Sequence, residues 1–169
     1  MKPKILILLI YLSFQICYSQ TLWKSIKYNY QVEIPKGFHI IEALGKNVDF
    51  KVGDKFGNSV VIVVKEFPFE YKNKTIKEIL GSAKDNANYW EEGANEFFET
   101  PKLLKYGDTK ICNYDAFWMD YTTDNGSYYY KNYCVKKGKL YFVITLTSTI
   151  KNWNYNSVIY FRFKEQMKL

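Results

Sequence analysis

The sequence predicts an α+β fold in which a twisted antiparallel β-sheet is flanked by helices. Segments in which apolar and polar residues alternate are typical of half-buried strands, and here they follow one another in runs. Two amphipathic segments, one in the middle of the chain and one at its end, indicate helices that cover the faces of this sheet. The 169 residues contain no repeat, low-complexity tract or linker, so we expect a single domain over residues 20–169.

Residues 1–19 have the pattern of a secretory signal peptide. Lys2 and Lys4 precede an apolar run over residues 5–14, and the small residues Cys17 and Ser19 occupy the −3 and −1 positions of a cleavage site. The mature protein is therefore predicted to be exported, to the periplasm or to the extracellular space.

Two membrane-anchored alternatives have to be compared with this prediction. The apolar run is shorter than the roughly 20 residues that cross a bilayer, which weighs against a transmembrane anchor, and no later segment is long and apolar enough to span. A lipoprotein anchor at Cys17 is the second alternative, but bulky Ile16 precedes this cysteine where a small residue is usual. We therefore expect a mature chain without a transmembrane span.

The charge distribution does not favour a nucleic-acid partner. Removal of residues 1–19 takes away two lysines and no acidic residue, which lowers the formal net charge from +7 to +5. The remaining lysines are scattered along the chain and are not gathered in a basic block. We predict no nucleic-acid binding, while weak attraction to anionic lipid or acidic polysaccharide fits this surface equally well.

The first predicted strands lie before residue 68. Residues 28–34 alternate between apolar and polar, and Pro35 and Gly37 end this strand because proline lacks an N–H and glycine permits a turn. Residues 38–44 form a short second piece, and residues 48–52 alternate again. The β-branched run over residues 59–67 predicts a strand that is covered on both faces.

The middle of the chain predicts one amphipathic helix of about four turns, from Thr75 to near Gly93. Thr75 and Glu78 have the spacing of a capping box. The apolar residues behind them fall on one helical stripe, for which packing on the sheet is favoured over a groove for a partner.

The last third of the chain predicts a strand meander and a closing helix. The turns are indicated by Asn113-Tyr114, Asn125-Gly126 and Lys137-Gly138. An amphipathic segment follows from Thr149 and is predicted to be helical, with a strand over "VIYFRF" as the alternative. The meander strands are residues 103–111, 115–123, 128–136 and 139–148.

The segment "YNYQVEIPKGF" resembles the opening of the PsbP-like group of small exported proteins. In that group a strand leads into a Pro-x-Gly-aromatic step, here Pro35, Gly37 and Phe38, and the order of strands and helices that follows is also similar. The resemblance implies an α-β-α sandwich in an exported accessory or binding protein. It implies no functional residue, because members of the group have diverse roles and share no catalytic motif.

The search for catalytic chemistry gives mostly negative results. His39 is the single histidine, and it stands between apolar residues without a partner motif. The sequence has no phosphate loop, dinucleotide fingerprint or paired-cysteine zinc spacing, so we predict no metal and no cofactor. The glutamates between Glu91 and Glu99 are typical of a solvated helix face. These observations predict a protein that is not an enzyme.

Cys112 and Cys134 are the cysteines of the predicted mature chain, and export permits a disulfide between them. If Asn125-Gly126 forms a two-residue turn, Phe117 lies opposite Cys134. Cys112 would then be about 17 Å from that position in a regular strand. A disulfide requires Cα atoms within about 7 Å, so the bond needs a turn at Cys112 that folds back, and the sequence leaves it open.

The same register divides the meander between two faces. One face, here called the core face, is predicted to pack against a helix; it contains Ala116, Trp118, Asp120, Lys131, Tyr133, Val135, Leu140, Phe142, Ile144 and Leu146. The opposite face, here called the tyrosine face, contains Phe117, Met119, Tyr121, Tyr128, Tyr130, Asn132, Cys134, Tyr141, Val143, Thr145 and Thr147. Two interpretations of the tyrosine face stay open: the closing helix covers it, or it borders a concave ligand site.

The predicted function is an exported, non-enzymatic binding or accessory protein. Its ligand site is predicted on the tyrosine face at Tyr121, Tyr128, Tyr130, Asn132 and Tyr141, for an apolar or glycan-like ligand or a protein partner. The alternative is an envelope interaction protein, such as an inhibitor or immunity-type factor, that acts through its outer surface. A hydrolase is a third hypothesis, which requires a cleft that joins His39 to a cysteine or a carboxylate.

Overall fold

A computed structural model describes residues 21–43 and 45–169. The predicted signal peptide, with Cys17, lies outside the described residues. The strands are β1 (Leu22–Ser25), β2 (Tyr30–Glu33), β3 (His39–Ile40), β4 (Val48–Gly53), β5 (Ser59–Glu66), β6 (Lys102–Ile111), β7 (Tyr114–Thr123), β8 (Tyr128–Lys137) and β9 (Leu140–Thr149), and the α-helices are α1 (Ile76–Leu80), α2 (Ala83–Gly93) and α3 (Trp153–Gln166).

Seven strands form one antiparallel sheet in the order β3-β4-β5-β9-β8-β7-β6, which confirms the predicted α+β class. The first predicted strand, residues 28–34, is not part of this sheet. Its centre is β2, which pairs with β1 in a separate hairpin, and Lys168, after the closing helix, bridges to Gln31 on β2. The hairpin packs on the core face, where Tyr30 and Phe142 meet edge to face at 5.4 Å.

The predicted register between β7 and β8 is confirmed. Phe117 lies opposite Cys134, and the Nζ of Lys131 lies 2.8 Å from the Asp120 carboxylate across the same strands. The connection differs from the predicted two-residue turn, because Asp124 joins Asn125 and Gly126 at positive φ in a loop that extends to Ser127. The pairing is preserved because the longer loop takes in one residue from the end of each strand, Asp124 from one and Ser127 from the other.

Two other turns lie one residue away from their predicted positions. The β6–β7 turn is Cys112-Asn113, with φ of 51° and 68°, and the β8–β9 turn is Gly138-Lys139. Lys137 therefore pairs with Leu140 and remains in the strand. Moving a two-residue turn by one residue shifts the pairing of its two strands by two positions. Because strand faces alternate with a period of two, each meander side chain stays on its predicted face.

The single helix predicted from Thr75 to Gly93 is two helices. The predicted capping box of Thr75 and Glu78 begins α1, but Gly81 at φ +81° ends it after five residues. Ser82 and Asp85 form a second capping box that begins α2. Such boxes supply acceptors to the free N–H groups at the start of a helix. The Ser82-x-x-Asp85 pattern therefore begins a second helix in the segment that was predicted as one amphipathic stripe.

The two faces of the sheet are covered by different elements. The closing segment is helical, as predicted, but α3 packs on the core face together with the β1–β2 hairpin; Phe50 and Phe163 stack there with centroids 6.2 Å apart. The tyrosine face is covered by α1 and α2 through Ile76 and Ala83, which contradicts the interpretation that the closing helix lies on it.

The helical cover of the tyrosine face is incomplete. α2 packs mainly on β6 and β7, at one side of the sheet. On β5, Val60 and Ile62 are fully buried on the core side, whereas Val61 and Val63 on the opposite side are half-buried. The prediction that this strand is covered on both faces is therefore correct for its core side only.

Candidate functional site

A groove lies on the core side of the molecule, between the turn after β2 and helix α3. Its first part is a cavity of about 480 Å³ bordered by the Pro35–His39 turn, the β4–β5 loop and α3. A second cavity of about 460 Å³ adjoins it and shares Lys36, Gly37, Tyr155 and Ile159 with the first. We call the two cavities together the helix groove.

The rim of the helix groove is formed by the Pro-x-Gly-aromatic step. Pro35 ends β2 because it has no N–H to donate to a ladder. Gly37 has φ of +85°, a region that favours glycine, and the Phe38 N–H donates to the Pro35 carbonyl at 3.0 Å. This tight turn packs the Phe38 ring against the core and leaves His39 exposed at the cavity wall.

A buried polar network fixes the floor of the groove. Asp54 accepts hydrogen bonds from the backbone N–H groups of Phe56 and Asn58 and from Asn58 Nδ2. Ser148 Oγ donates to Asn58 Oδ1 at 2.9 Å and accepts from Asn156 Nδ2 on α3 at 2.9 Å. Because these bonds connect the β4–β5 loop, β9 and α3, the groove is held open in one geometry.

The rim of the groove combines exposed aromatic rings with cations. Phe56 is 60% exposed and Tyr155 is 75% exposed, although large apolar side chains are usually buried. Lys36, Lys55 and Arg162 line the same cavities. This combination suits a partner that offers both apolar and acidic groups.

Among the described residues, His39 finds no carboxylate in the first cavity that is free to act with it. Asp54 lines the same cavity, but both its carboxylate oxygens already accept the hydrogen bonds of the β4–β5 loop. No cysteine is present among the residues that line the groove. Within residues 21–43 and 45–169, no group of three or more histidine, cysteine or acidic side chains could hold a metal ion.

Three of the five predicted site residues come together on the tyrosine face. Tyr121 and Tyr130 stack with centroids 4.9 Å apart, and Asn132 Nδ2 donates to the Tyr121 hydroxyl at 3.3 Å. Tyr121 is only 3% exposed because Trp90 packs on it at 4.5 Å, and this burial raises the pKa of Tyr121 to about 12. Phe98 packs on both tyrosine rings, so the site has no opening at Tyr121.

The other two predicted site residues lie apart from this cluster. Tyr128 is 37% exposed at the start of β8, next to the loop. Tyr141 lies opposite Lys136 towards the other end of the sheet and packs against Phe67 at 5.2 Å. The five residues therefore share a face but do not line one cavity among those described.

Cys112 and Cys134 are both free and lie on opposite sides of the sheet. The Cys112 thiol donates to the Met167 carbonyl on the core side at 2.9 Å. Cys134 is buried on the tyrosine face, where loss of hydration raises its pKa to about 12. The turn at Cys112 does fold the chain back, but the sheet stands between the two sulfurs and the disulfide is not formed.

Sequence reasoning did not identify the helix groove as a site. The signals were present in the Pro35-x-Gly37-Phe38 step and in the aromatic residues that interrupt the polar side of the closing helix. Tyr155 and Phe161 are such residues, and both are exposed. These residues indicate a groove only when it is known which face of the sheet α3 covers, and a single sequence does not determine this.

Compared by sequence, the chain matches no protein-family model and no curated protein. Compared by structure, it shares the fold of cyanobacterial PsbP (CyanoP) from Synechocystis, with a TM-score of 0.71 and 12% identity over 91% of this chain and 95% of that one. LpqN of Mycobacterium tuberculosis, which is involved in cell envelope biogenesis, gives a TM-score of 0.56 at 6% identity over 90% and 86%. A protein from Bacteroides thetaiotaomicron gives 0.54 at 12% over 89% and 48%.

These similarities confirm the predicted resemblance to the PsbP-like group at the level of the fold. The α-β-α arrangement is shared, although so few residues are identical. Among the described residues, no helix is both long and apolar enough to cross a bilayer.

Proposed function

We propose that this chain is an exported, non-enzymatic accessory protein that binds a protein partner in the helix groove. The observation that carries the proposal is the pair of adjoining cavities with an exposed aromatic rim. Aromatic residues and arginine are enriched at the centres of protein interfaces, because they bury large areas and still form polar contacts. Tyr155 and Arg162 lie on one helix at this groove.

The rigid floor also favours binding. A groove whose loop and helix are already hydrogen-bonded through Asn58, Ser148 and Asn156 loses little conformational freedom when a partner enters. Export is supported by the signal-peptide pattern of residues 1–19, and a role at the cell envelope is supported by the similar fold of LpqN. The Asp54 carboxylate already accepts hydrogen bonds from the β4–β5 loop, which supports the interpretation that His39 is not a catalytic residue.

The tyrosine face is a second candidate for binding an apolar or glycan-like ligand. Asn132 Oδ1 is buried without a hydrogen-bond partner among the described residues, and Tyr128 is exposed four residues away on the same strand. A glycan hydroxyl would satisfy this acceptor. The closed packing over Tyr121 makes this the weaker of the two proposals.

Native mass spectrometry of the chain purified from its own host tests the proposed function. The informative variant is Phe56→Ala/Tyr155→Ala, and Tyr89→Ala is the matched control, since Tyr89 is an 81% exposed tyrosine on α2. We expect a discrete protein complex in the wild type and in the control, and free chain in the double variant. Free chain in the wild type, or an unchanged complex in the double variant, would overturn the proposal.

A further inference from the structure

Lys136 is a buried cation that the helix groove does not involve. It is 8% exposed, lies on β8 opposite Tyr141, and its Nζ donates to the Lys72 carbonyl at 2.9 Å. An ammonium group has three N–H donors, and Lys72 supplies the one acceptor found among the described residues. Two donors are therefore left for water or for a ligand. Burial lowers the pKa of Lys136, as expected for a cation that has lost hydration.

Lys136 lines a cavity of about 280 Å³. The walls are the Cys112-Asn113 turn, the turn at Gly138 and the segment that precedes α1. The positive φ values of Cys112 and Asn113 produce a two-residue turn that brings Asn113 into the wall. The other polar residues that line the cavity are Asn73, Lys74, Thr75, Tyr114 and Asp115.

The carboxylates near Lys136 are already engaged. Glu78 accepts a hydrogen bond of 2.6 Å from the Thr75 N–H as part of its capping box. Asp115 pairs with Lys110 at 3.8 Å. The lining of the cavity thus contains two lysines, Lys136 and Lys74, and one carboxylate, Asp115, together with neutral donors, so it carries a formal excess of one positive charge.

We propose that this cavity binds a small oxyanion, either a phosphate group or a carboxylate, with Lys136 as its central ligand. Lys74, Asn73 and Asn113 are further donors around the anion. Charge-assisted hydrogen bonds from a partly desolvated ammonium are among the stronger polar contacts in proteins. The site shares no lining residue with the helix groove, so it does not depend on the proposed function.

Titrations of the isotope-labelled chain with inorganic phosphate and with acetate, followed by NMR at constant ionic strength, test the proposal. We expect saturable shifts at Asn73 and Asn113 with one or both anions. Lys136→Gln should raise the dissociation constant about tenfold or more, because a charge-assisted hydrogen bond is lost. Lys139→Gln is the control, since Lys139 lies on the same hairpin but is exposed and paired with Glu66.

The two anions distinguish the sources of the ligand. Saturation by phosphate alone assigns a phosphate group, and saturation by acetate assigns a carboxylate. If Lys136→Gln fails to fold, Lys74→Gln replaces it, with an expected loss of about threefold because this lysine is exposed. The absence of saturable shifts up to about 50 mM of either anion, or equal affinity in the lysine variant and the control, would overturn the proposal.

Discussion

The core face and the tyrosine face belong to the same strands, but they are closed to different degrees. On the core face, α3 and the β1–β2 hairpin bury a continuous layer in which Phe142 and Leu146 are 0% exposed. On the tyrosine face, α1 and α2 cover β6 and β7 and leave the side chains of β5 half-buried. Both faces have strand periodicity, but the core face has the more complete cover.

Because of this difference, the region that stabilises the fold and the region proposed to bind a partner are distinct parts of the molecule. The core face supplies most of the dry packing, and its covering helix presents its outer side and its edge to solvent. The helix groove forms at that edge, where α3 meets the turn after β2. The strongest candidate for binding therefore lies beside the best-packed layer and not on the face that is richest in tyrosine.

The largest expected effect is that of truncating an aromatic residue in the core face. Phe142→Ala should lower the free energy of unfolding by about 3 to 5 kcal/mol, because the ring is fully buried and the cavity cannot collapse completely. Urea denaturation measures this change. Phe161→Ala is the control, since Phe161 on α3 is 61% exposed, and equal losses in the two variants would break the comparison.

Neighbouring valines on β5 sharpen the comparison of the two faces. Val60→Ala should cost about 2 to 3 kcal/mol, because Val60 is 0% exposed on the core side. Val61→Ala should cost less than about 1 kcal/mol, because its side chain is only half-buried on the tyrosine side. If chemical denaturation shows a larger loss of stability for Val61→Ala than for Val60→Ala, the tyrosine side of β5 must be the better covered side, which would contradict the comparison.

The second capping box should have an effect smaller than that of the buried core residues. Ser82→Ala should lower stability by about 1 kcal/mol near neutral pH, since Ser82 caps α2. Hydrogen bonds from Ser82 also hold the pKa of Asp85 below its usual value, and those from Thr75 do the same for Glu78. A lowered pKa gives stability that is present above the unfolded pKa and is lost as the pH falls through the folded pKa.

The wild type should therefore lose more stability than Ser82→Ala between about pH 5 and pH 2. Thermal unfolding across this range provides the measurement. Ser157→Ala on α3 is the control, because its hydroxyl donates to the Asn154 carbonyl and not to a carboxylate. A parallel pH dependence in Ser82→Ala and the wild type would exclude this role for the capping box.

Much of the fold follows from local patterns in the sequence. The Asn125-Gly126 turn signal predicted the register of Phe117 with Cys134, and this register placed Tyr133 and Val135 on the core face. The extra residues of the Asp124 loop did not disturb this prediction because they were added symmetrically. Gly81 and Ser82 could have indicated the helix break, since a glycine followed by a capping pattern is a local signal.

The candidate site was less predictable than the fold. Which helix covers which face depends on long-range packing, and so the opening at α3 and the closure of Tyr121 by Trp90 were not available from the sequence. The free state of Cys112 has the same cause, because its separation from Cys134 depends on the side of the sheet that each thiol faces.

Site-specific photo-crosslinking in the native host tests whether a protein partner binds in the helix groove. A photoreactive phenylalanine derivative is placed at Tyr155 in the helix groove and, in a second chain, at Tyr128 on the tyrosine face, since both side chains are exposed. We expect a discrete protein adduct from position 155 and none from position 128. An adduct from position 128 without one from position 155 would contradict this expectation and would move the binding surface to the tyrosine face.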